Sequence, residues 1–256
     1  VAALDDGTRV AAGSVDVVLA GGEVTRLAAA TVPFGGSFAV GGPVGAAGTA
    51  EGADAPAPLA LAAATLLATS PRYLDRLCVA SPFRAASVDV RSGTASLATM
   101  SLGVGETRCL DVDIPDGGAA ALVADAPILA FHTGTNAGTV YDGYVVPAPA
   151  LELFGGCAGT CLVTALEDGT TVDAWLSDGT STRVTLAAGA GTTLPGNGTQ
   201  GSGTTVHLTA NHPIAAISYG DGDGGESVPF LPPWLLGERF VVPLGAQYAM
   251  IAAERP

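Results

Sequence analysis

Apolar and polar positions alternate along this chain in short runs, broken by clusters of Gly, Asp, Asn and Pro. Cys161–Trp175, CLVTALEDGTTVDAW, shows the pattern in miniature. Val163, Ala165 and Leu166 lead into Glu167-Asp168-Gly169, and Thr171, Val172 and Ala174 leave it. Asp-Gly between two β-prone runs predicts a hairpin. The same reading places strands at Leu162–Leu166, Thr171–Leu176, Thr182–Leu186, Thr204–Thr209, Ile214–Ser218 and Arg239–Val242. Turns this frequent predict a sandwich or barrel. Only over Ala55–Ser70, rich in Ala and Leu, does a helix compete with an extended connection.

The pattern repeats. Val1-Ala-Ala-Leu-Asp-Asp-Gly7-Thr-Arg-Val10 reads like Val163-Thr-Ala-Leu-Glu-Asp-Gly169-Thr-Thr-Val172, with a degenerate copy from Val79 and the start of a fourth at Ile251. Leu122-Val-Ala-Asp-Ala-Pro127-Ile-Leu-Ala-Phe131 matches Leu208-Thr-Ala-Asn-His-Pro213-Ile-Ala-Ala-Ile217, and Phe38–Val44 is a worn version. Pro sets φ, so the expected form is a strand, a turn and a buried strand. Tyr144-Val-Val-Pro147 and Phe240-Val-Val-Pro243 recur later in their units. Self-similarity at this period, roughly 80–90 residues, marks a repeat architecture. The expected fold is all-β: three tandem antiparallel, sandwich-like repeats at residues 1–78, 79–162 and 163–250, with 251–256 beginning a fourth or closing the molecule. A closed pseudo-threefold or propeller-like ring is the alternative arrangement.

Composition narrows the class. Gly 36 and Pro 17 with 13% charged residues describe a turn-rich chain, and 48% hydrophobic residues leave ample material for a core. Lys is absent; ten Arg stand against 24 acids, for a net charge of −14. Phosphate binding needs a basic footprint, so nucleic acid is an unsuitable partner. An anionic membrane surface is equally unsuitable. The longest apolar run, Leu59–Ala68, falls well short of a spanning helix, so no membrane insertion is expected.

Candidate chemistry is sparse. Cys157 and Cys161 flank Ala-Gly-Thr, a spacer that suits a local disulfide, with free buried thiols or a four-thiol zinc site as alternatives. A disulfide would imply an oxidising compartment. Asp221, Asp223 and Glu226 sit on a Gly-rich loop; D-x-D-G resembles the start of a calcium loop without the remainder of an EF-hand. The alternative is a solvated turn. Asp111 and Asp113 alternate on one strand face and are expected in solvent. His132, His207 and His212 accompany no G-x-S-x-G, H-E-x-x-H or P-loop pattern, so no catalytic residue is assigned. Phe230 and Trp234 flank Pro232-Pro233 and read as plugs of a core ahead of a stacking platform.

Three ordered pieces resemble the IgGFc-binding domain family of extracellular proteins: VTALEDGTTV, LTANHPIAAIS and LPPWLLGERFVVP, all between Cys161 and Ala253. The resemblance implies an all-β extracellular or surface module used in adhesion or matrix contact. It carries no immunoglobulin-binding residue across. The resulting expectation is a non-enzymatic structural or adhesion protein of an extracellular surface or virion. Its partners would be other protein subunits or a cell-surface ligand, in a homo- or hetero-oligomeric assembly without a resident cofactor. A glycan- or calcium-dependent recognition module is the alternative.

Overall fold

The computed structural model describes residues 2–3, 6–12, 14–21, 39–40, 44–45, 61–71, 74–136, 139–140, 143–157, 159–195, 203–219 and 227–236. All of its regular structure is antiparallel β apart from short 3-10 turns. The chain divides into two compact units, one of residues 1–56 with 237–249, the other of 57–236 with 250–256.

In the smaller unit, β1 (Ala2–Ala3) pairs with β5 (Val44–Gly45). β2 (Thr8–Ala12) pairs with β3 (Val15–Leu19) on one side and β4 (Ala39–Val40) on the other. Val10, Ala12 and Leu19 are buried. Asp6-Gly7 joins β1 to β2, which are not paired with each other. Gly7 takes the turn at φ 76°, a region open to Gly without a Cβ clash.

The larger unit holds one topology twice. Its first copy runs through β6 (Ala63–Thr69), β7 (Leu74–Ala80), β8 (Ala86–Ser92), β9 (Ala95–Leu102), β10 (Thr107–Val112), β11 (Ala119–Asn136), β12 (Thr139–Val140) and β13 (Tyr144–Val145). The second runs through β14 (Ala150–Cys157), β15 (Thr160–Ala165), β16 (Thr170–Leu176), β17 (Ser181–Leu186), β18 (Gly191–Thr193), β19 (Thr204–Tyr219) and β20 (Ser227–Pro229). Strand order is β10-β7-β11-β8-β9 in the first and β18-β15-β19-β16-β17 in the second, with β6 and β13, or β14 and β20, completing the central strand's pairs. The backbone bonds agree as well. Ser81 N→Glu106 O, Gly105 N→Ser81 O and Glu106 N→Gly103 O recur at the same interval as Ala165 N→Ala190 O, Gly189 N→Ala165 O and Ala190 N→Ala187 O. Each copy begins at β6 or β14, so strands from both sides of positions 78/79 and 162/163 enter the same sheets.

One long strand organises each copy. The N-terminal half of β11 pairs with β6 and β8, and its C-terminal half with β7 and β13. β19 does the same with β14 and β16, then β15 and β20. The partner exchange falls at Pro127 and Pro213, which have no N–H to give a ladder. The expected strand-turn-strand is therefore one bent strand. Asp125 and Asn211 fix both bends identically: Asp125 Oδ1 accepts the Ser87 amide at 2.8 Å, and Asn211 Oδ1 the Thr171 amide at 2.6 Å. Two sheets sharing one strand enclose each core, with Leu66, Leu77, Val90, Leu122 and Ile128 in the first copy and Leu153, Val163, Val172, Leu208, Ile214 and Phe230 in the second.

Three local expectations change. Glu167-Asp168-Gly169 joins β15 to β16, which pair with β19 and not with each other, so it is a connection between sheets and no hairpin. Asp168 Oδ1 accepts the Ala188 amide at 2.9 Å, as Asp6 Oδ1 accepts that of Gly21 at 2.7 Å. The two acidic turns do the same work. Ala63–Thr69 is a strand where helix competed, because its apolar residues are needed beside β11. Phe230 is core, pressed on Gly155, whereas Trp234 stands 68% exposed on the 3-10 turn Pro233–Leu235 and plugs nothing.

The two copies dock through small residues. Thr69 Oγ1 meets Thr164 Oγ1 at 2.8 Å, both buried, and Ala119 N donates to Gly189 O at 2.9 Å. Leu67, Ala119 and Ala215 form an apolar cluster across the seam. A Cβ on Gly191 would stand 2.2 Å from Gly117 O, a backbone atom that cannot swing away. Gly191→Ala should therefore lower the unfolding free energy by about 1–3 kcal/mol, as overpacking does. Urea denaturation followed by circular dichroism measures it, and an unchanged midpoint would contradict the close seam.

Candidate functional site

Two polar clusters stand out, one sealed and one open. The sealed one lies in the first copy. Asp75 on β7 and His132 on β11 face each other with Oδ1 and Nε2 2.6 Å apart, their side chains 1% and 4% exposed. Asp75 Oδ2 also accepts the Ile114 amide at 3.2 Å. Tyr144 packs its ring on His132 with centroids 5.1 Å apart. Its hydroxyl accepts from Thr69 N at 2.6 Å and donates to Thr69 O at 2.7 Å. Burial pushes this phenol far above its ordinary range, the Thr69 amide opposing, so it stays a protonated donor. Two hydrogen-bonded pairs, Asp75–His132 and Tyr144–Thr69, are thus joined by ring packing and lead to the seam. Every hydrogen bond named satisfies a buried polar group, which is the condition for keeping such groups inside.

The open cluster lies on the outer face of the second copy. Alternation along β16 buries Val172, Ala174 and Leu176 and turns Thr171, Asp173 and Trp175 outward. Register aligns Trp175 with His207 on β19 and His207 with Phe154 on β14. The Phe154 and His207 rings stack at 4.2 Å and 7°, and Trp175 tilts against His207 at 5.3 Å. Trp175 is 45% exposed. The next row across the same strands is polar: Arg183, Asp173, Thr209 and Glu152. Arg183 donates twice to Asp173, at 2.6 and 2.8 Å, and these bonds hold the Asp173 carboxyl below its ordinary range. Glu152 Oε1 lies 2.8 Å from His207 Nε2.

Cys157 and Cys161 are disulfide-bonded. Cys78 and Cys109, opposite each other on β7 and β10, form a second bond that the spacing of 31 residues hid. Two disulfides mark an oxidising environment. Asp221, Asp223 and Glu226 lie outside the described residues. Among the described residues no group of three His, Cys, Asp or Glu side chains converges as a metal site, and no helix is long and apolar enough to cross a membrane. His212 Nδ1 stands 3.2 Å from Glu167. Asp111 is solvent-facing, beside Arg76 at 3.4 Å, and Asp113 is exposed too. The Trp175–His207 row was not found from sequence. Its signal was outward periodicity on separate strands, and only register brings those strands together.

No protein-family description, curated protein or solved structure matches the chain.

His132→Ala should lower stability by about 3–5 kcal/mol, since it strands the buried Asp75 carboxylate. In a double-mutant cycle, Asp75→Ala added to it should cost much less than the two single changes summed. Additive costs would show that the pair is not coupled. For the disulfides, loop-closure entropy assigns about 3–4 kcal/mol to the long Cys78–Cys109 loop and about 2 kcal/mol to Cys157–Cys161. Paired Cys→Ser variants in guanidinium titrations should preserve that order, and the reverse order would refute the entropic account.

Proposed function

We propose that this chain is a non-enzymatic β-repeat protein of an oxidising, extracellular surface or virion, acting by adhesion and assembly through protein contacts. The observation that carries the reading is the seam at Thr69–Thr164 and Leu67–Ala119–Ala215, where one sandwich seats on the next through small side chains and backbone bonds. Repeats built this way bury the faces they share and present the remaining ones for joining. Of the His–carboxylate pairs, Asp75–His132 is closed in the core with its carboxyl oxygens already bonded, which supports a structural role for it. The two disulfides support life outside a reducing compartment. The motif resemblance to the IgGFc-binding family points the same way. Partners would be further copies of this chain or neighbouring proteins. The aromatic row at Trp175 favours a second reading, recognition of a glycan.

The purified, oxidised chain should show no turnover of generic ester, peptide or glycoside substrates. Its weight-average mass should rise with concentration in sedimentation or light-scattering runs. A constant monomer mass up to millimolar concentration would remove the assembly reading, and reproducible turnover lost in a point variant would remove the non-enzymatic one.

A further inference from the structure

The same cross-strand row occurs in both sandwiches with different chemistry. In the first it is Arg91–Ala121–Leu67. Leu67 is buried at the seam beside Ala119 and Ala215, with Ala121 against them. Small side chains there let the second sandwich seat closely. In the second sandwich the row reads Trp175–His207–Phe154. An indole 45% exposed, standing on a stacked imidazole and phenyl, is poorly shaped for the flush seating that Ala121 permits. The row is also fixed in place. Phe154 is almost fully buried, its backbone bonds Leu231 in both directions at 2.8 Å, and its ring backs the His207 imidazole.

From this arrangement we infer that the outer face of the second sandwich, at Trp175, His207, Glu152, Asp173 and Arg183, is a binding site for a neutral glycan. The inference rests on the glycan reading above and is independent of assembly. A pyranose ring offers an apolar face of C–H groups and a rim of hydroxyls. A rigid, half-exposed aromatic plane matches the first. A neighbouring row that holds a guanidinium and two carboxylates matches the second, since the guanidinium has further N–H donors and each carboxylate further lone pairs beyond the Arg183–Asp173 and Glu152–His207 contacts. Glu152 is half exposed, with its Oε1 on His207. That bond orients the carboxylate beside the aromatic row. Asp173 is likewise held by Arg183. The charge of the ligand follows from the protein. At −14 with no Lys, this chain repels sulfated or sialylated chains at long range. Neutral hexose and N-acetylhexosamine oligomers are the class that fits.

The test uses the oxidised full chain. Trp175 and Trp234 are its two tryptophans, so Trp234→Phe leaves Trp175 as the sole indole reporter. Glucose and N-acetylglucosamine tetramers are titrated against it while its emission is followed, with saturation-transfer NMR as a second readout. We expect a saturable change in Trp175 emission for at least one tetramer and none for a heparin tetrasaccharide. In the otherwise native chain, Trp175→Ala should weaken binding at least about tenfold and Trp175→Phe should retain part of it, as stacking on a smaller ring requires. Glu152→Gln should alter the preference between the two tetramers. Circular dichroism and thiol counting confirm that each variant is folded and disulfide-bonded. Three results would overturn the inference: no emission change at saturating tetramer, unchanged affinity in Trp175→Ala, or preferential binding of heparin. Association of the chain measured on the same samples keeps the two proposals apart, since loss of glycan binding with association intact removes this one alone.

Discussion

A strand that must change partners halfway along its length governs this protein. β11 and β19 each belong to two sheets, and the change is enforced where Pro127 and Pro213 interrupt the ladder. Without the bend, the two sheets of a copy would be one open layer with an unburied apolar face. With it, the residues on either side of Pro turn toward one core, and Asp125 or Asn211 secures the corner by taking an amide from the strand that follows the acidic or Pro turn. Corner and core are mutually dependent. The bend brings the sheets face to face, and burial of residues such as Leu122, Ile128, Leu208 and Ile214 holds the bend.

The seam between copies follows the same logic at smaller scale. Close backbone approach demands residues without bulk, and Gly118, Gly189 and Gly191 supply it. Tyr144, packed on His132, bonds the Thr69 backbone, and the Thr69 hydroxyl makes the inter-repeat contact, so core and seam meet at one residue. Polar groups of this kind are costly unless fully satisfied, and they fix one arrangement of the packed parts. Specific docking of repeats and a specific core thus share residues. Among the described residues the second copy has no buried His–carboxylate pair; its His207 and Glu152 meet on the outer face.

Much of the architecture was legible in the chain. Alternation located most strands of the second copy to within a residue or two, and the in-phase motifs Ala-Asp-Ala-Pro and Ala-Asn-His-Pro marked the equivalent corners. Cys157–Cys161 was legible because its partners are near neighbours in sequence. Acidic turns were located correctly but misread in geometry. Asp-Gly dictates a local φ at Gly169, and local geometry alone does not say whether the flanking strands pair.

What the sequence by itself determined depends on composition and on the nearest few residues: the β class, the approximate place of most strands of the second copy, the turn positions and a chain without Lys. What only the tertiary structure decided depends on pairing between distant segments. Cys78 finds Cys109 because β7 and β10 are neighbours. Asp75 finds His132 through the second half of a bent strand. Trp175, His207 and Phe154 form one row only because three strands settle in one register. Side-chain alternation has a period of two, so a slip of one residue would send all three to the core side. Periodicity tells which residues share a face of their own strand. Long-range hydrogen bonding and core burial choose the register that makes those faces a surface.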